Sequence, residues 1–293
     1  MCPTLFNIPL PGGHALPVPA YGVMLMTGFL LAVLLARRRA GALGLAQVDI
    51  FDMGIFAVIG GVLGARLFHV IIYRESYFYQ VPGQGLGETV LRSLGRMAAT
   101  WNGGLVFYGG LIGGILALWL YARRRKIPLL DLLDFSAAPL GVGLAVTRIG
   151  CFLNGCCFGK PTDLPWGVSY PPGAHIGHTD PVHPTQLYET LAALALAAVL
   201  WWLIYPRRKF AGQSACACAI LYGVWRFGNE FLRADSGPWS PTVFGRTLAL
   251  GPLTVFQWMS LAFLAVFAAG YLVARRAGRA PFAPPAPAPE PEP

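Results

Sequence analysis

An arginine, an asparagine and three thiols crowd into one glycine-rich stretch of this sequence, Thr147-Arg148-Ile149-Gly150-Cys151-Phe152-Leu153-Asn154-Gly155-Cys156-Cys157-Phe158-Gly159-Lys160. The stretch closes a hydrophobic segment. An arginine there costs about 2.5–3.5 kcal/mol to insert into a bilayer, so it calls for a partner or a ligand. A guanidinium donates a planar fork of hydrogen bonds that matches a phosphate, and the phosphate at hand in a bilayer belongs to a lipid. Arg66 and Arg226 also lie within or at the edge of hydrophobic segments. Three separate segments thus offer guanidinium groups. Snorkelling or local ion pairing is the competing explanation for each one taken singly.

Other positions carry possible chemistry. Arg226, Glu230 and Arg233 have the spacing of one helical face, on which Glu230 can hold an arginine while Arg226 faces a ligand. A plain intrahelical ion pair gives the same spacing. Tyr108 sits among glycines in Trp101-Asn102-Gly103-Gly104-Leu105-Val106-Phe107-Tyr108-Gly109-Gly110. Its phenol can donate to an oxyanion or relay a proton, or it can simply anchor at the membrane interface. His183-Pro184-Thr185-Gln186-Leu187-Tyr188-Glu189 reads as a helix start with polar side chains in its first two turns. Cys151 and Cys156 lie close enough in sequence to Arg148 for a cation to lower a thiol pKa. Cys151, Cys156 and Cys157, with His175, His178 and His183, are zinc-type donors, but their C-x4-C-C spacing is not a standard zinc pattern and no metal is expected from it. Cys216 and Cys218 read as small core residues.

The elements that must position these groups are membrane helices. The 293 residues are 55% hydrophobic and 12% charged, whereas soluble domains carry about 25% charge. Segments 15–36, 97–122 and 247–274 contain no charged residue, and each is long enough to cross a hydrocarbon core. The pattern predicts an all-α polytopic bundle of seven transmembrane helices, roughly 18–37, 50–73, 102–122, 132–153, 185–205, 212–232 and 253–274. The net charge of +9 is concentrated beside these spans, at Arg37-Arg38-Arg39, Arg123-Arg124-Arg125-Lys126, Arg207-Arg208-Lys209 and Arg275-Arg276 with Arg279. That distribution is the positive-inside pattern rather than a nucleic-acid patch. It places the N-terminus outside and the C-terminus in the cytoplasm. No basic stretch precedes the first apolar run, so no cleavable signal peptide is expected. A transmembrane domain over 1–275 is followed by a Pro/Ala-rich tail, 276–293, expected to be disordered. Small-xxx-small pairs, Gly60 with Gly64, Gly109 with Gly113 and Gly110 with Gly114, predict close helix packing.

Together these motifs resemble the bacterial prolipoprotein diacylglyceryl transferases, over nearly the whole chain from Tyr21-Gly22 to Asp235. The stretch 147–159 resembles the family signature G-R-x-G-N-F-x-N-x-E-x-x-G. The block from Trp101 to Gly113 resembles W-x-G-G-x-x-F-H-G-G-L-x-G, and His183 to Glu189 resembles H-P-[ST]-Q-L-Y-E. Arg226 to Arg233 resembles R-F-x-x-E-x-x-R, and Gly64-Ala65-Arg66 resembles G-[AG]-R. The resemblance implies transfer of the diacylglyceryl group of phosphatidylglycerol to the lipobox cysteine of preprolipoproteins at the bacterial inner membrane. A thioether forms, glycerol phosphate leaves, and no metal or organic cofactor takes part. It implies catalytic roles for Arg148, Arg226, Glu230 and Tyr108. Phosphatidylglycerol would be bound by Arg148, Arg66, Asn154, Gly159, Tyr21, Arg233 and His183, with Cys151 and Cys156 as thiol participants. Three positions depart from the family pattern: Tyr108 replaces a histidine, Cys151 an asparagine and Cys156 a glutamate. A neutral tyrosine is a poor base at pH 7, which leaves His69, His183 and Glu230 as alternatives for activating the substrate thiol. Two other readings stand beside the transferase, a same-fold lipid transferase with another acceptor and a non-catalytic phospholipid-binding protein.

Overall fold

The computed structural model describes residues 4–9, 15–77, 86–98, 107–170, 180–234, 249–250 and 253–283. Two short strands open the chain, β1 (Thr4–Pro9) and β2 (Ala15–Pro19), paired antiparallel. Helices α1 (Ala20–Arg37), α2 (Gln47–Ile72), the single turn α3 (Arg74–Tyr77), α4 (Leu86–Ala98), α5 (Phe107–Arg124) and α6 (Leu129–Asn154) follow. Then come α7 (Thr185–Ala198), α8 (Gln213–Asn229), the two-residue strands β3 (Ala249–Leu250) and β4 (Leu253–Thr254), and α9 (Val255–Ala277).

Among the described residues, five helical segments are long and apolar enough to cross a membrane: Ala20–Arg37, Gln47–Ile72, Leu129–Asn154, Thr185–Arg207 and Phe256–Ala277. The expected spans at 102–122 and 212–232 are helical but do not join this set. Four glycines and two terminal arginines dilute the apolar character of α5, and α8 has only 17 residues, with Gln213, Ser214, Arg226 and Asn229 among them. The structure therefore supports a helical membrane protein without fixing the expected count of seven. The two β-hairpins were not anticipated from the sequence. The proposed tail falls largely on residues outside those described. Before it, α9 continues to Ala277, and the Arg279 carbonyl accepts a hydrogen bond from the Ala211 N–H at 2.9 Å.

The chain divides into two compact units, one formed by residues 40–132 and the other by 1–39 with 133–293. Within the first, α2 and α5 pack backbone to backbone. A Cβ on Gly64 would lie 2.3 Å from the Gly109 carbonyl oxygen, and one on Gly113 would lie 2.2 Å from that of Gly60. Only hydrogen at these positions permits the approach, the reason small-xxx-small spacing recurs where membrane helices meet. The opposite face of α2 exposes Ile55, Ile59 and Val62, the apolar surface expected to meet lipid. Tyr121 donates to the Asp49 carbonyl at 2.9 Å, and Arg125 pairs with the Asp49 carboxylate.

In the second unit, Asp134 is 1% exposed and caps α8, accepting from the Gly212 and Ala215 N–H groups at 2.8 Å each. A carboxylate at the positive end of a helix satisfies donors that would otherwise be orphaned. After α7 the chain widens into a π-helical stretch, Val199–Ile204, where the Tyr205 N–H bonds to the Leu200 carbonyl five residues back. Arg39 lies over this stretch. Its guanidinium carbon is 3.7 Å from the Trp201 ring centroid and 5.0 Å from that of Tyr205, and it donates to the Trp201 carbonyl at 2.7 Å.

Candidate active site

Glu189, in the second turn of α7, is fully buried. An isolated carboxylate at such depth would cost several kcal/mol or surrender its charge. Here it is compensated. Arg148, near the end of α6, places Nη2 3.0 Å from Oε1, Tyr222 of α8 donates its hydroxyl to the same oxygen at 2.9 Å, and Arg233 Nη1 lies 4.0 Å from Oε2. A second buried carboxylate, Glu230, just past the end of α8, holds Arg226 at 2.8 Å. Arg226 Nη1 is buried without a hydrogen-bond partner among the described residues. Tyr222 is within electrostatic reach of both Arg148 and Arg226. The arrangement is a pair of guanidinium groups fixed from behind by buried acids, with one donor of Arg226 unspent.

The loop after α6 is built to the same unit. Gly155 takes φ 71° and Cys157 takes φ 64°, so two left-handed residues fold the chain back within three positions. Glycine adopts this conformation freely, whereas cysteine does so at a cost. Side chains from the start of α7 hold the turn: Gln186 donates to the Cys156 carbonyl at 2.8 Å and to the Tyr170 hydroxyl at 2.9 Å, and Thr185 donates to the Cys157 carbonyl at 2.8 Å. Gly159 then forms an antiparallel bridge with Arg233 and donates its N–H to the His183 carbonyl at 2.9 Å. A Cβ on Gly159 would fall 2.6 Å from His183 Cβ and 2.7 Å from the Leu232 carbonyl oxygen, so the bridge requires glycine.

The turn also gathers sulphur. The Sγ atoms of Cys151, Cys156 and Cys157 all lie within 4.8 Å of one another. Hydrogen bonds from Cys151 and Cys156, aided by Arg233 and Arg148 and opposed by burial, hold the Cys157 thiol below the usual thiol range. Burial pushes the Tyr170 phenol up, and the hydrogen bond from Gln186 pulls it part of the way back.

The family model for prolipoprotein diacylglyceryl transferase matches residues 6–273. The chain belongs to the prolipoprotein diacylglyceryl transferase family. Among similar proteins, the phosphatidylglycerol–prolipoprotein diacylglyceryl transferase of Bordetella avium (strain 197N) is 36% identical over 266 residues, covering 89% of this chain and 92% of that protein. The protein of the same name from Cupriavidus pinatubonensis (strain JMP 134) is 35% identical over 246 residues, 82% of this chain and 81% of its own. That of Nitratidesulfovibrio vulgaris (strain DP4) is 36% identical over 243 residues, 82% and 84%.

For a diacylglyceryl transferase, the structure groups Arg148, Arg226, Glu230, Arg233, Asn154, Gly159, His183, Cys151, Cys156 and Tyr21 in one unit. Tyr21 packs at Gly150, where a Cβ would sit 3.3 Å from Tyr21 Cα and 2.9 Å from Met24 Cβ. The single-face reading of Arg226, Glu230 and Arg233 needs correction. Helix α8 stops at Asn229, so Arg233 leaves the helical path and reaches Glu189 from its bridge with Gly159. In the other unit, Arg66 is 8% exposed and donates from Nε to the Met97 carbonyl at 2.9 Å and from Nη2 to the Arg96 carbonyl, closing the C-terminus of α4. His69 Nδ1 lies 2.9 Å from the Tyr77 hydroxyl. Tyr108 lies in the first turn of α5, with its side chain outside the described part of the structure, as are His175, His178 and residues 101–106. Sequence reasoning missed Tyr222 and the central place of Glu189. The one signal for Tyr222 was its position four residues before Arg226, one helical turn away.

Proposed function

We propose that this chain transfers the diacylglyceryl group of phosphatidylglycerol to the lipobox cysteine thiol of preprolipoproteins. The bond between the glyceryl carbon and the phosphate oxygen breaks, a carbon–sulphur bond forms as the thiol loses its proton to solvent, and glycerol phosphate carries the phosphate charge away. The observation that carries this reading is the pair Arg148 and Arg226, each backed by a buried carboxylate, with Tyr222 bonded to the acid behind Arg148. Such fixed cations act on the charge that develops as the phosphate departs, and they need no reorganisation when it does. The free Nη1 of Arg226 supplies a donor for a phosphate oxygen. Arg233, Asn154, Gly159, His183 and Tyr21 line the same unit and are assigned to headgroup binding. Arg66, which matches the G-[AG]-R motif, and Tyr108, which stands where the family has histidine, complete the proposed set. Cys151 and Cys156, at positions where the family has asparagine and glutamate, are the two substituted thiols.

The membrane arrangement proposed with it has seven spans, adding α5 and α8 to the five apolar helical segments, in the bacterial inner membrane with the N-terminus outside. The basic clusters at 37–39, 123–126, 207–209 and 275–279 support that orientation. The two substrates share the bilayer, so an embedded site brings them together without either leaving it.

A reconstituted assay tests the reading. Purified protein, phosphatidylglycerol and a synthetic lipobox peptide are combined, and thioether-linked diacylglyceryl peptide is read by mass spectrometry. Product is expected, and it disappears when the peptide cysteine is replaced by serine. A folded protein that binds phosphatidylglycerol and yields no product overturns the assignment.

A further inference from the structure

Three free thiols from positions 151, 156 and 157 converge in a turn, and nothing in the transfer reaction requires all three. Cys151 lies in the last turn of α6 and is buried, while Cys156 and Cys157 are half-buried in the following turn. Their Sγ atoms lie within 4.8 Å of each other. Around a tetrahedral ion with metal–sulphur bonds of about 2.3 Å, thiolate sulphurs stand about 3.8 Å apart, so a contraction of at most about 1 Å closes the set. The backbone favours closing the set. Cys157 is one of two non-glycine residues with positive φ among those described, so the chain accepts strain at the residue that brings the third sulphur in.

We propose that Cys151, Cys156 and Cys157 form a trithiolate site for a thiophilic divalent d10 cation of the zinc class, with water in the fourth position. Binding ionises three S–H groups, releases three protons to solvent and forms three metal–sulphur bonds, with no change of oxidation state. The bound ion staples the end of α6 to the loop that runs on to Gly159. The site lies beyond the transferase reading and does not depend on it.

The test uses the full-length protein in detergent, reduced with a phosphine under argon and titrated with Cd2+. The expected result is an ultraviolet thiolate-to-metal charge-transfer band that saturates at one equivalent. Mass spectrometry after alkylation should show Cys151, Cys156 and Cys157 of the unsubstituted chain protected by Cd2+ together, and Zn2+ should displace the probe. Cys157→Ser and Cys156→Ser should each weaken Cd2+ binding at least tenfold, and Cys216→Ser should leave it unchanged. The protection pattern decides the matter if a variant fails to fold. No band at one equivalent, protection of fewer than three of these thiols, or a site that takes only Cu+ overturns the proposal. So does a disulfide between two of the three in protein isolated without reductant.

Discussion

Between α2 and α5 the backbones touch because side chains are missing, whereas around Glu189 the helices are joined by side chains that carry charge. The first contact is made of Gly60, Gly64, Gly109 and Gly113 and contains nothing that can bind or react. The second gathers two arginines and a phenol within 4.0 Å of one buried acid. Both answer the same difficulty. Lipid supplies no hydrophobic drive for one helix to seek another, so association must come from close van der Waals approach or from polar partners. The glycine contact is the less tolerant of added atoms. The Glu189 network is the less tolerant of altered charge, and only that one can be turned toward a substrate.

Substitutions separate the two. The largest effect is expected from Gly64→Val, whose side chain has no space beside the Gly109 carbonyl. It should cost ~3 kcal/mol or more, seen as loss of folded protein in thermal denaturation in detergent. Arg148→Ala comes next. The protein should still be recovered folded, while turnover in the phosphatidylglycerol assay drops by about 10²–10³-fold, the scale of losing a preorganised charge partner. Retained turnover in that variant would remove Arg148 from the chemistry. Glu189→Gln should act through position: about tenfold lower kcat with a smaller change in KM, because Arg148 keeps a hydrogen-bond partner and loses its counter-charge, together with a stability loss of about 1–3 kcal/mol. A change confined to melting temperature would reduce Glu189 to a structural residue. The smallest effect is expected from Gly61→Ala, where the added Cβ meets the Gly110 carbonyl oxygen at an ordinary 3.6 Å. It should be neutral or stabilise by up to about 1 kcal/mol through helix propensity. A large loss there would mean that the α2–α5 approach is tighter than its geometry indicates.

The glycine contact was legible in the sequence because it depends on local period: residues four apart lie on one helical face, and their smallness shows in the letters. The ion pair of Arg226 and Glu230 was legible for the same reason. Arg233 was misplaced because nothing in the periodicity marks where α8 stops, and its bridge to Gly159 joins positions more than seventy residues apart. Glu189 was read as one of several polar residues at a helix start. Its partners come from α6, from α8 and from beyond α8, and that convergence is a property of the fold. The same limit applied to the thiols. Spacing alone argued against a zinc pattern, while the left-handed turn at Gly155 and Cys157 brings together sulphurs that the linear sequence leaves uneven. The count of spans was hard to fix because α5 and α8 spend their positions on glycines and polar groups instead of on apolar length.

The π-helical stretch at Val199–Ile204 has a bearing on descent. A π-turn holds one more residue than the α-turn it interrupts, which corresponds to a single inserted codon. Alignments of relatives through this region should therefore carry a one-column gap between 199 and 204. In a homologue without the insertion, the aromatic pair that seats Arg39 is to be sought one column away from Trp201, and a straight letter-by-letter comparison would score that homologue as having lost a contact it has kept.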